Sequence, residues 1–72
     1  MMANTYTAIV EEDDGWFVAW CPEVPGANGQ GRTKAEVLEN LTDAIELILF
    51  DRLAEALNDL PANAERVSVN VA

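Results

Sequence analysis

Two stretches of this chain alternate with the period of a strand before one long stretch repeats with the period of a helix. In Thr5 to Glu12, Tyr6, Ala8 and Val10 share one face while Thr5, Thr7 and Ile9 share the other. From Trp16 to Cys21, Trp16, Val18 and Trp20 oppose Phe17, Ala19 and Cys21 in the same way, so both segments read as strands. Between them Glu11-Glu12-Asp13-Asp14-Gly15 reads as a hairpin connection, its Asp-Gly pair supplying the positive backbone angles that a tight turn needs. Pro22 and Pro25 bracket Glu23-Val24 ahead of Gly26, which stops the second strand in a stiff turn and leaves Ala27 to Gly31 as a short third strand.

Thr33-Lys34-Ala35-Glu36 is a capping box. The Thr33 hydroxyl is expected to accept from the Glu36 amide and the Glu36 carboxylate from the Thr33 amide, starting a helix at Lys34. Val37, Leu38, Leu41, Ala44, Ile45, Ile48 and Leu49 then fall on one arc, the natural cover for a sheet face. The opposite side begins with Glu36, Glu39, Asp43 and Glu46 but continues as Leu47, Phe50, Ala54 and Leu57. A helix apolar on two sides has to bury both, so this second stripe is a candidate seam between copies or cover for an extended core. Leu60-Pro61 ends the helical pattern, and Arg66 to Val71 alternates again, reading as a last strand with Val67, Val69 and Val71 inward. The expected fold is therefore α+β in the order β-β-β-α-β, a mainly antiparallel sheet with one long helix on one face, forming a single domain over residues 1–72.

Charge and composition narrow what such a fold can do. The 72 residues carry a formal net charge of −9, and only Arg32, Lys34, Arg52 and Arg66 are basic. Four scattered cations make no phosphate-neutralising stripe, so direct nucleic-acid binding is not expected, whereas an acidic surface complements a basic protein. Cys21 is the lone cysteine and histidine is absent, which removes an internal disulfide framework, Cys/His and Ser/His/Asp nucleophiles and the commonest zinc ligands. Cys21 itself, between Trp20 and Pro22, is expected to be a small buried hydrophobe. No signal peptide or membrane-spanning run is visible, so a soluble cytoplasmic protein is expected.

The acidic run invites a metal reading, but its carboxylates are adjacent rather than spaced to converge as in an EF-hand loop. Asp13 or Asp14, Glu23 and Asp43 are conceivable ligands for two-metal hydrolysis, yet the first lie at a hairpin tip and Asp43 on the polar helix face. The Gly26 to Gly31 segment, G-x-x-G-x-G, lacks the lysine and preceding apolar strand of a nucleotide loop. No catalytic residue, metal or cofactor is expected.

One family matches this order of elements. The acidic hairpin, the aromatic strand, the turn Pro22-Glu23-Val24-Pro25-Gly26, the step Gln30-Gly31-Arg32-Thr33 and the helix together resemble the N-terminal domain of HicB-type antitoxins, over roughly Thr5 to Phe50. Family members commonly carry P-G-C where this chain has Pro25-Gly26-Ala27. The resemblance implies a partial RNase H-like fold and a protein that neutralises a small, basic, mRNA-cleaving HicA-like toxin by contact. Many such antitoxins add a DNA-binding segment; if a chain ending at Ala72 is full length, that segment is expected to be absent and operator binding is not carried over. The expected toxin-facing residues are Glu11, Glu12, Asp13, Asp14, Glu23, Pro25 and Gly26, and the expected oligomer contacts are Leu47, Phe50, Ala54, Leu57 and Val69. A homo-oligomer without a toxin is the alternative.

Overall fold

The computed structural model describes residues 5–71. Three strands, β1 (Ile9–Asp13), β2 (Trp16–Trp20) and β3 (Asn28–Gly31), form an antiparallel sheet in the order β1-β2-β3, followed by one helix, α1 (Lys34–Asn58). The fold is thus α+β, as the alternation and the helical repeat predict. The β1–β2 connection is a tight turn in which Asp14 (φ 54°) and Gly15 (φ 84°) both take left-handed backbone angles, the geometry that matches the twist of the flanking strands.

Register decides which residues meet the helix. Ile9 pairs with Trp20, Val10 with Ala19 and Glu12 with Phe17, while Phe17 pairs with Gly31 and Ala19 with Gly29. Paired residues share a face, so Val10, Phe17, Ala19, Gly29 and Gly31 look inward to α1. There Ala19, Cys21, Val24, Ala27, Val37, Leu41 and Ile45 are buried, flanked by Val10, Phe17, Ala44, Ile48 and Leu49. The largest fully enclosed side chains in this core are valines, Val24 and Val37.

Gly29 sets the distance between the layers. A Cβ there would lie 2.7 Å from the Leu41 amide nitrogen and 2.9 Å from the Val37 carbonyl oxygen, so the helix backbone rests directly on the strand. Only a residue without a side chain permits that approach. Asn40 reinforces the seam by donating from its side-chain amide to the Gln30 carbonyl at 2.7 Å. Arg52 donates to the Pro25 carbonyl at 3.3 Å, joining the C-terminal half of the helix to the proline turn.

Three local expectations are corrected. The first strand starts at Ile9, not Thr5, because β2 ends at Trp20 and the chain then turns, leaving residues 5–8 nothing to pair with. The capping box closes differently: Thr33 Oγ1 accepts from the Glu36 amide at 3.0 Å as expected, but the Glu36 carboxylate accepts from the Arg32 amide at 2.6 Å rather than from Thr33. Gly31 leaves the room for that carboxylate, which a Cβ at position 31 would crowd at 2.8 Å. Arg66 to Val71, expected as a fourth strand with its valines inward, pairs with nothing among the described residues, and Val67, Val69 and Val71 are 67%, 76% and 61% exposed. The 25-residue helix is about 37 Å long, roughly twice the length of a five-residue strand, so it carries the tail away from its own sheet.

Residues 5–8 are held by one side chain instead of a ladder. Both oxygens of Glu23 accept from the Thr7 amide at 3.1 Å, Oε2 accepts from the Thr7 hydroxyl at 2.7 Å, and Oε1 accepts from the Cys21 thiol at 3.3 Å. The Thr7 hydroxyl bond, followed by the backbone bond within the turn, lowers the Glu23 carboxyl from its ordinary 4.5 to about 2.

Two predictions follow from these contacts. Gly29→Ala should cost about 2 kcal/mol in urea denaturation, since helix backbone must move to admit the methyl group, whereas Gly31→Ala, which meets the flexible Glu36 side chain, should cost distinctly less. Because the Glu23 carboxyl is depressed in the folded state, its contribution to stability is complete above about pH 4.5 and is lost as pH falls toward 2. Glu23→Gln should therefore flatten the dependence of stability on pH in that window, and an unchanged acid limb would show that the clamp carries no stability.

Candidate interaction surfaces

β2 carries the expected contact residues at its two ends. At one end, the turn and the end of β1 project Glu11, Glu12, Asp13 and Asp14, all exposed. Glu11 and Asp13 pair with Val18 and Trp16 and so stand on the outer face of the sheet, away from α1, whereas Glu12 pairs with Phe17 on the inner face. At the other end, residues 21–27 fold through successive bonds from Val24 N to Cys21 O, Ala27 N to Val24 O and Cys21 N to Ala27 O. This winding buries Val24 while leaving Glu23, Pro25 and Gly26 outside. The structure therefore divides the seven candidates between two sites about 15 Å apart, the span of the strand joining them.

Their circumstances differ too. The hairpin carboxylates have no hydrogen-bond partner among the described residues' side-chain contacts, whereas the Glu23 carboxylate is engaged by Thr7 and Cys21. Pro25 lends its carbonyl to Arg52, and Gly26 (φ 94°) lends its own to the Asn28 side chain at 3.0 Å. This second turn is thus a braced structural corner with an exposed rim.

What links the two ends is a surface that the candidate residues omit. Ile9, Trp16, Val18 and Trp20 line the outer face, and Trp16 and Trp20 remain 44% and 37% exposed. The Arg32 guanidinium lies 4.9 Å from the centre of the Trp16 ring, a cation–π contact that fixes the indole while keeping one side open. The sequence held the signal for this surface: β2 is apolar on both faces, and a single helix covers only one.

The helix stripe expected at an oligomer seam is also in the open. Leu47 and Phe50 are 62% and 68% exposed, Ala54 is exposed, Leu57 is half-buried, and Leu53 joins them on the surface. Val69 is the most exposed of the tail valines. On the other flank of α1, Leu38, Leu41, Thr42, Ile45, Glu46 and Leu49 face residues 6–8 across an open cleft of about 670 Å³. No group of three or more Cys, Asp or Glu residues is arranged to hold a metal ion among the described residues. Asp43 is exposed on the helix and joins no such group with the turn acids. Cys21 is buried, as its position at the strand end predicts. Among the described residues no helix is long and apolar enough to cross a membrane.

Comparison with known proteins gives a consistent family. The chain is 52% identical over 64 residues to UPF0150 protein ssl0738 of Synechocystis sp., covering 88% of this chain and 89% of that protein. It is 41% identical over 51 residues to UPF0150 protein ssr1765 of the same organism, covering 69% and 65% respectively. A third relative, UPF0150 protein Ta0767 of Thermoplasma acidophilum, is 37% identical over 67 residues, covering 90% and 96%. No family model matches the chain, and no solved structure does. With a bacterial and an archaeal relative matched over nearly their whole lengths, the chain belongs to the UPF0150 family.

Proposed function

We propose that this protein is a HicB-like antitoxin-type module that binds a small, basic, mRNA-cleaving toxin by protein–protein contact, itself neither catalysing a reaction nor binding nucleic acid. The observation that carries this reading is the outer sheet face, where exposed Trp16 and Trp20 are bordered on the same face by the unengaged carboxylates of Glu11 and Asp13. Indoles offer large, stiff contact area and accept lysine or arginine against their faces, while the carboxylates draw a basic partner in and orient it. Glu12, Asp14 and the rim of Glu23, Pro25 and Gly26 widen the acidic border. A net charge of −9 adds long-range attraction for such a partner and opposes approach of RNA to the complex. The lone reduced cysteine accords with work in the cytoplasm.

A second reading, a homo-oligomeric module without a toxin, is favoured by the exposed Leu47 and Phe50, which a basic partner on the outer sheet face would leave uncovered.

Binding to a HicA-like toxin, or to the product of an adjacent short, lysine-rich, histidine-containing reading frame, tests the proposal by calorimetry. Affinity should fall by about tenfold or more as ionic strength rises from roughly 0.05 to 0.5 M, because the attraction acts between exposed charges. Trp16→Ala should weaken binding by about tenfold, the size expected for an aromatic anchor, and reversing Glu11 and Asp13 to Lys should weaken it further. Binding that ignored both salt and these substitutions would refute the proposed surface.

A further inference from the structure

We propose that the C-terminal segment Arg66–Val71 of one copy adds as an edge strand to β1 of a second copy, antiparallel to it, with its valines in the cleft beside α1. This inference does not rest on the toxin reading. The segment has the alternation of a strand, but its three valines are left in solvent, at exposures no folded chain of this size gains from. On the receiving side, β1 is an edge strand whose outer rim has no partner among the described residues. Next to it lies the cleft between residues 6–8 and the helix flank of Leu38, Leu41, Ile45 and Leu49. An unpaired edge beside an apolar cleft accepts a strand that is apolar on one face only, which is what the tail supplies.

Charge selects the direction. Paired residues share a face, so any register that points Val67, Val69 and Val71 toward the cleft places them opposite even-numbered β1 positions such as Val10. Arg66 then stands on the outer face, where the β1 side chains are those of Ile9, Glu11 and Asp13. Antiparallel addition brings Arg66 to the end of β1 that holds Glu11 and Asp13, and parallel addition would bring it to the uncharged end near Ile9. Lengths agree as well, since six tail residues match the five of β1.

The donor and acceptor belong to different copies because of the shape of the chain. The molecule measures 55 × 25 × 16 Å with a radius of gyration of 15.8 Å, against about 11 Å for a compact domain of this length. The excess is the distal half of α1, with exposed Phe50 and Leu53, and the tail beyond it. Beyond Arg52, whose guanidinium reaches the Pro25 carbonyl, the helix ends without a basic residue in its last turn to offset its dipole and with Asp59 at its C-cap. Two copies related by a twofold axis each give a tail and receive one, so the contact closes rather than propagating.

Light scattering on the full chain alone provides the test. The expected mass is twice the 7.8 kDa of one chain, or a higher even multiple. Val69→Asp, at a position 76% exposed in the single chain, where the helix content seen by circular dichroism should not change, is expected to raise the dimer dissociation constant by about a hundredfold or more by putting a carboxylate into the apolar cleft. Arg66→Glu should weaken association by about tenfold, and adding Glu11→Arg and Asp13→Arg to it should restore association, a rescue that an interface elsewhere would not produce. A monomeric chain would overturn the inference, as would a dimer indifferent to Val69→Asp or one in which the charge swap fails to rescue Arg66→Glu.

Discussion

The contact between Gly29 and the first turns of α1 is the constraint on which the rest of this small fold depends. At 2.7 Å from a would-be Cβ to the Leu41 amide, the helix backbone touches the strand without intervening side chains, and Val37 and Leu41 can then reach past β3 to Ala19. Small inward residues, namely Ala19, Cys21 and Ala27, complete a thin interlayer space. Such a core excludes water with little volume, since valines are its largest fully enclosed members. The benefit is a tight seam, and the limit is that one seam stabilises only part of a 25-residue helix.

That limit explains the distribution of apolar surface. The proximal half of α1 is covered by the sheet, while the distal half presents Leu47, Phe50 and Leu53 to solvent, and the tail presents three valines. The outer sheet face adds Ile9, Trp16 and Trp20. Exposed apolar surfaces of this kind, rimmed by charge, are candidate interaction sites. The exposed indoles lie on the outer face of the sheet, bordered there by Glu11 and Asp13, and the open cleft lies beside α1 on the inner side.

Membership of the UPF0150 family places the chain among small bacterial and archaeal proteins that it matches over nearly their whole lengths. Within the described residues no carboxylates gather for metal-assisted chemistry, and the one depressed carboxyl, Glu23, is explained by a structural duty, pinning residue 7 to the proline turn.

Local rules were sufficient for much of this. The hairpin turn at Asp14-Gly15, the break at Pro22 to Gly26, the cap at Thr33 and the helix from Lys34 all arise from preferences acting within four or five residues, and the sequence alone determined them. It also showed that β2 is apolar on both faces and that α1 carries an apolar arc able to cover one of them. Tertiary structure alone decided where the strands stop and which apolar surfaces are left exposed. Alternation at residues 5–8 and 66–71 is identical in kind to that of β2, but a strand exists only where a partner edge is present, and none lies beside either segment. Likewise Glu23 looked like one more exposed acid until folding brought Thr7, 16 residues away, onto its carboxylate. Pairing and long-range hydrogen bonds are properties of two segments at once, and periodicity in either one carries no record of the other.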